Sequence, residues 1–408
     1  MRFQELILRA RFVIVEPQTI IENGFVSISH NEIYNVGRFS SLQRHNVLDL
    51  GEAILMPGLV NAHSHTEFSL LKGAVRSKRF LEWLMECAGR QKRWTGRDWS
   101  NSVRMGLEEM AKNGITSIGD ICRRTFLRNI LEENPLRKAV FFEAIDSDPN
   151  SAAKTLSEIV KTISKPPPSR RFSIGLSPHA PYTVSSKLFK LVKNMRLRIA
   201  IHTAETREEL KFLQSGTGDF ATLLNIVGKP LPFDTPPSCT PIQYLKRLGV
   251  LGEKTNLIHC NFITNDDIKE IAKARSPVIF CPGSFDYFRH ADWKEYKLKA
   301  LLKNGVNVAL GTDSLASNSD LSIFREMALV RKHYDISPRR IFEMATTSGI
   351  KALFGNAKIG VLKKGYMADC IAIKAKGVSK KNILEFITSG GSKVISSVVN
   401  GVNLPLPC

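Results

Sequence analysis

A chain of 408 residues with 43% hydrophobic and 24% charged side chains is long enough to bury a large core, which excludes a disordered or fibrous protein. No apolar run approaches the roughly 18 residues that span a bilayer, and the first fifteen residues alternate like a strand, interrupted by Glu5, Arg9 and Arg11, so a soluble, cytoplasmic protein is expected. The net charge of +20 is spread along the chain, with modest clusters at 72–97 and 123–128 and no nucleic-acid-binding motif; a small-molecule partner is expected rather than nucleic acid or membrane. The seven cysteines are odd in number and form no Cys-x-x-Cys pair, which points to buried free thiols.

Residues 1–57 read as β-rich. Leu6-Ile-Leu, Phe12-Val-Ile-Val, Phe25-Val-Ser-Ile and Asn46-Val-Leu-Asp-Leu are short apolar runs separated by Gly, Asn and Pro. After Pro57 the rhythm changes to strands alternating with helical stretches. Strand candidates fall at 58–63, 117–122, 138–145, 172–178, 198–203, 256–260, 278–281 and 306–312, with helical patterns at 99–113, 151–164, 185–194 and 264–274. Repeated βα units of this number favour a (β/α)8 TIM barrel over an open sheet. The Gly- and Pro-rich stretch 215–246 reads as a loop over the site. After Leu353, β character returns at Ile359-Gly-Val-Leu and at 369–373. The expected organisation is therefore a barrel over 58–356, with 1–57 and 357–408 joining as a small β-sandwich domain built from both chain ends.

Barrel enzymes place their reactive groups at the C-terminal ends of the strands. Those positions hold His63, with His65 one step beyond, then His179, His202, His259 and Asp313. Two histidines at i and i+2 on an extended chain point to one side and can grip one metal ion. Glu205, three residues after His202, can lean over such an ion and move protons; the alternative is a helix-start charge beside Thr203 or Thr206. His259 also fits a satisfied core histidine, Asp313 a loop cap and His179 a turn residue. His30, His45, His290 and His333 fit no strand end and read as surface residues. Phe80 and Trp83, at helical spacing, fit a core as well as a substrate wall.

Pro57-Gly-Leu-Val-Asn-Ala-His-Ser-His65, Ser177-Pro-His-Ala-Pro-Tyr182, Ile201-His-Thr-Ala-Glu-Thr206, Leu257-Ile-His-Cys260, Phe280-Cys-Pro-Gly-Ser284 and Leu310-Gly-Thr-Asp-Ser-Leu-Ala-Ser-Asn318 resemble the amidohydrolase superfamily. The branch is that of the deaminases of cytosine, guanine and S-adenosylhomocysteine and of the triazine chlorohydrolases. Ile359-Gly-Val-Leu-Lys-Lys-Gly-Tyr-Met-Ala-Asp369 resembles the strand pair that completes the family's composite β domain. The likeness runs nearly the whole length. It implies one divalent metal, zinc or alternatively iron, held by His63, His65, His202 and Asp313. His259 and Asp313 would orient the attacking water and Glu205 would shuttle protons. No lysine lies in the fourth strand, where two-metal relatives commonly carry a carbamylated one, so a single metal is favoured. One departure is Phe285-Asp286, where many relatives carry Asn after the serine.

Thr66-Glu-Phe-Ser69 and Phe80-Leu-Glu-Trp-Leu84 resemble the aminodeoxyfutalosine deaminases of menaquinone biosynthesis. The resemblance implies hydrolytic deamination of an aminated purine-type ring, 6-amino-6-deoxyfutalosine, with release of ammonia. It would put Glu67 and Trp83 near the substrate. His179, beyond the fourth strand at the barrel mouth, can donate a hydrogen bond to the ring, Ser314 is a further expected substrate contact, and the aromatic and basic stretch 68–97 in the first βα loop can enclose a nucleoside with an anionic aryl tail. The alternatives are a deaminase of S-adenosylhomocysteine, methylthioadenosine or guanine, a chlorohydrolase, and a non-catalytic binding barrel. A homodimer is the partner chain expected, if any.

Overall fold

The computed structural model describes residues 6–40, 46–167, 169–289, 291–390 and 393–404; His45, His290 and Cys408 lie outside them. The strands are β1 (Leu6–Glu16), β2 (Thr19–Ser29), β3 (Glu32–Arg38), β4 (Val47–Asp49), β5 (Ala53–Pro57), β6 (Leu59–Ser64), β7 (Ile115–Cys122), β8 (Arg137–Ala144), β9 (Phe172–Pro178) and β10 (Arg198–Thr203). They continue as β11 (Thr255–His259), β12 (Val278–Phe280), β13 (Val308–Leu310), β14 (Cys370–Lys374), β15 (Val394–Val399) and β16 (Val402–Leu404).

Strands β6 to β13 pair in sequence order, every pair parallel, and a parallel bridge between Ser64 and Asp313 joins the last strand to the first. This is a (β/α)8 barrel. Period-two alternation sorts its side chains into two cores. Val60, Ala62, Ala139, Phe141, Ala200, Ile258, Ile279 and Ala309 share one cluster. Their strand neighbours Leu59, Val140, Phe142, Ile201, Leu257, Val278 and Leu310 pack in another, together with side chains of the surrounding helices.

The chain ends form the second sheet, ordered β16-β15-β14-β5-β1-β2-β3, with β4 alongside β1. It is the small β domain expected from both termini. Ala53 and Leu55 pack in its own core while Ile54 and Met56 join the large barrel core. β5 runs straight into β6 through Gly58, where a Cβ would come within 2.1 Å of the Thr116 hydroxyl. Arg137 at the foot of β8 ties the two parts further, its Nε donating to Asp369 at 2.7 Å in a buried ion pair.

Several expectations change in detail. The two apolar runs near the N-terminus are one strand, β1; the polar β3 carries too little apolar pattern to announce itself, and the wholly apolar Ala53–Pro57 forms a further strand, β5, ahead of the barrel. The stretch 215–246 is not one loop. It contains helices Asp219–Ile226 and Pro241–Arg247, the second closed by a Thr240–Gln243 capping box. Ile359-Gly-Val-Leu forms no strand, although the Leu362 N–H donates to the Val15 carbonyl at 2.9 Å. Cys87, Cys122, Cys239, Cys260, Cys281 and Cys370 are buried free thiols, and no helix among the described residues is long and apolar enough to cross a membrane.

Candidate active site

The C-terminal mouth of the barrel opens into a cavity of about 440 Å³. His63 and His65 come from the end of β6 and the turn beyond it, His179 from the residue after β9, His202 from β10, His259 from the end of β11, and Asp313 from the loop after β13. Non-glycine residues adopt left-handed backbone at three of these strand ends: Ala204 (φ 51°), His259 (φ 70°) and Asp313 (φ 59°). Such conformations cost energy and persist where surrounding contacts over-determine them. Here the Thr312 and Asp313 N–H groups both donate to the His63 carbonyl at 3.1 Å, and the Phe262 N–H donates to the Ala204 carbonyl at 3.0 Å.

His63, His65 and His202 bring three ring nitrogens into one group. The Nε2 atoms of His65 and His202 stand 3.2 Å apart, and Asp313 Oδ1 lies 3.6 Å from His63 Nε2 and 3.7 Å from His65 Nε2. Nitrogens bound about 2.0–2.1 Å from one tetrahedral ion stand about 3.3 Å apart, so this spacing fits a shared metal. Two further observations agree. His63 Nε2 is buried without a hydrogen-bond partner. His202 Nδ1 donates to the His179 carbonyl at 3.1 Å, which leaves its Nε2 as a lone-pair donor. Burial lowers His65 to about 3 and His202 to about 4, keeping both rings neutral as ligation requires.

Asp313 is held from its other side. Ser284 and Ser317 donate to its Oδ2 at 2.8 and 2.7 Å. Burial alone would push this carboxyl up, but the facing imidazoles of His63, His65 and His259 hold it well below the usual carboxylate range. Below the pair, Asp120 on β7 accepts from the Ser64 hydroxyl at 2.9 Å, the Thr66 N–H at 3.0 Å and the Thr66 hydroxyl at 2.7 Å. It fixes the residues between and after the two histidines.

Glu205 is buried, and its Oε1 lies 3.5 Å from His259 Nε2. Burial first, then Asp313 and Glu209, raises its carboxyl well above the ordinary value. It precedes the helix Arg207–Ser215, which Thr206 caps, so it is not that helix's capping residue. His179 also faces the cavity, with Nδ1 2.7 Å from the Thr183 hydroxyl.

The other expected contacts divide. Trp83 lines the cavity, but its indole N–H is committed to the Ala316 carbonyl at 2.9 Å. Glu67 also reaches the wall, with its carboxylate accepting the backbone N–H groups of Arg123 and Arg124 at 3.2 and 2.9 Å. Ser314 is buried off the cavity wall, its hydroxyl 3.2 Å from that of Ser317. Of the histidines read as surface residues, His30 is exposed and His333 stacks on Trp293 at 4.0 Å. Phe285 is buried among Phe280, Trp293 and Tyr296, away from the cavity.

The cavity also holds residues that the motifs did not single out. Glu143, near the end of β8, is half-buried and raised to about 7 by desolvation above all; its carboxylate groups with His179 and His202. Continuing the inward alternation of Ala139 and Phe141 by two residues would have found it. Glu209 is buried behind the cavity wall rather than on it; one turn after Glu205, it follows Thr206 at the spacing of a helix-start capping signal. Tyr182 ends the Ser177–Tyr182 motif without having been given a role, and Arg123 and Lys229 carry no comparable local signal.

This architecture and site are those of a metal-dependent hydrolase built on a (β/α)8 barrel. Residues 54–403 match the profile of the amidohydrolase family, and the chain belongs to that family, whose members hydrolyse carbon–nitrogen bonds. It is 29% identical over 391 residues to a 5-methylthioadenosine/S-adenosylhomocysteine deaminase of Pyrococcus abyssi, covering 90% of this chain and 85% of the relative. It is 28% identical over 357 residues to an aminodeoxyfutalosine deaminase of Deinococcus radiodurans, covering 81% and 82%. Among solved structures, the aminofutalosine deaminase of Helicobacter pylori in complex with methylthio-coformycin superposes with a TM-score of 0.84 at 21% identity, covering 98% of this chain and 100% of that one.

Proposed function

We propose that this chain deaminates the adenine-type ring of a nucleoside bearing a large 5′ substituent, with 6-amino-6-deoxyfutalosine as the preferred substrate. The observation that carries the reading is the convergence of His63, His65, His202 and Asp313 beside the buried carboxyl of Glu205. Three imidazoles and one carboxylate suit zinc, with iron the alternative. When bound, such an ion supplies a nucleophile at neutral pH by acidifying a water.

The residues of the chain do the rest. His259 and Asp313 hold the attacking water over the amine-bearing ring carbon. Glu205 accepts a proton from that water and delivers it to the adjacent ring nitrogen. The water oxygen bonds to that carbon, its second proton passes to the exocyclic amine, the carbon–nitrogen bond breaks with loss of ammonia, and the ring becomes the hypoxanthine form. His179 faces the same space and supplies a hydrogen bond to the ring. Phe80, Leu84, Met85, Leu223, Leu224 and Val227 give the cavity an apolar wall, which suits a nucleoside with an apolar or aryl extension.

The second reading is a deaminase of methylthioadenosine or S-adenosylhomocysteine, favoured by the 29% identical relative from Pyrococcus abyssi. A panel of adenosine, methylthioadenosine, S-adenosylhomocysteine, guanine and aminodeoxyfutalosine, scored by ammonia release and by the adenine-to-hypoxanthine absorbance change, tests both. The highest kcat/KM on aminodeoxyfutalosine is expected. A higher value on S-adenosylhomocysteine or methylthioadenosine would move the assignment to the second reading, and no ammonia from any member would overturn deamination itself.

A further inference from the structure

The cavity wall carries three cationic side chains: Arg123, Arg124 and Lys229. Two are engaged within the protein. Arg124 lies over the Trp99 ring at 3.1 Å and pairs with Glu67 at 3.6 Å, and Lys229 Nζ lies 3.4 Å from Asp146 Oδ1. Arg123 differs. Its backbone N–H is clamped by the Glu67 carboxylate, but among the described residues its guanidinium has no hydrogen bond, ion pair or ring contact. Glu143 on the neighbouring strand and Glu67 feel its charge, yet neither lies within ion-pairing distance of it. A guanidinium presents a planar fork of donors that matches a carboxylate. Of the carboxylates on the same wall, Glu67 is committed to Arg124 and two backbone N–H groups and Asp146 to Lys229, so an anionic group here meets Arg123 as the unpaired cation.

Resting on the nucleoside reading above, we propose that Arg123 is a specificity-determining residue that binds a carboxylate at the far end of the substrate's 5′ substituent. The Glu67 clamp is what makes the position reproducible: by accepting two successive N–H groups it fixes the backbone from which Arg123 projects, and by pairing with Arg124 it leaves Arg123 as the available donor. The carboxylate has two chemical sources, an aryl carboxylate or the α-carboxylate of an amino-acid substituent. An amino-acid tail would in addition bring an ammonium toward Glu143 or Asp146.

Calorimetric binding separates this proposal from catalysis. Two ligand pairs are used, each a free acid and its methyl ester: an inosine nucleoside with a 5′-linked benzoate, and S-inosylhomocysteine. The wild type is expected to bind at least one acid about 10- to 100-fold more tightly than its ester, the span of a charge-assisted hydrogen bond. In Arg123→Gln that ratio should fall toward one, and Arg123→Lys should restore part of it. The pair that shows the preference identifies the source. Equal binding of acid and ester by the wild type in both pairs, or a preference that survives in Arg123→Gln, would overturn the proposal. An Arg123-dependent preference without turnover of any adenine nucleoside would instead count against deamination and leave the carboxylate subsite standing.

Discussion

The carboxylate of Glu209 accepts the backbone N–H of Glu205 at 2.9 Å, and the Ala204 N–H reaches the same carboxylate. One buried acid thus closes the left-handed turn that aims the proposed proton-transfer group. Burial raises Glu209 to about 8, while its unfolded value stays near 4.5. Between those values the folded chain holds a proton that the unfolded chain releases, so the contribution of Glu209 to stability falls as pH rises from about 5 to 8. Glu209→Gln keeps an acceptor oxygen and abolishes this titration. Its melting temperature should decline less steeply with pH than that of the wild type, and kcat should drop about tenfold with KM little changed, because Glu209 acts through the position of Glu205. Parallel melting profiles would show that Glu209 does not titrate in this window.

Glu205→Gln preserves size and hydrogen-bonding reach but cannot take a proton. Turnover should fall by about 10²–10⁴-fold, the usual weight of a general acid–base group, while metal content stays at the wild-type level. A variant with near-normal kcat would remove Glu205 from the chemistry.

The proposed metal centre predicts a stoichiometry. Metal analysis of purified protein should return about one equivalent per chain. His63→Ala and Asp313→Ala should each lose metal or activity with far-ultraviolet circular dichroism intact. Two tightly held equivalents in the barrel would contradict the single-ion arrangement.

Gly311 offers a test that replaces no ligand. A Cβ at this position would come within 2.9 Å of His63 Cβ and 3.0 Å of the His63 backbone nitrogen and oxygen. Gly311→Ala therefore forces β13 away from β6 at the point where Asp313 meets His63. Overpacking of this kind costs about 1–3 kcal/mol. Weakened metal retention during dialysis against a chelator is expected alongside a lower melting temperature. Wild-type metal retention would mean that the His63–Asp313 spacing tolerates the shift.

Much of this arrangement is local and therefore readable along the chain. Each barrel strand is a short apolar run bounded by Gly, Pro or polar residues, and His63, His179, His202, His259 and Asp313 mark the ends of such runs. Parallel strands in one barrel all finish at the same mouth, so position along a strand already implies convergence. What tertiary structure decided concerns partners. Sequence places Glu67 near the first two histidines, but only folding brings the amides of Arg123 and Arg124 to its carboxylate. Ser314 adjoins Asp313 in the chain, yet the left-handed turn at Asp313 sets its hydroxyl against Ser317 rather than on the cavity wall. Glu143, Arg123 and Lys229 come from three separate segments and share one cavity only because their strands and helices are assembled around it. Periodicity specifies which face of an element is buried; which charge meets which partner across that face depends on contacts between residues far apart in sequence.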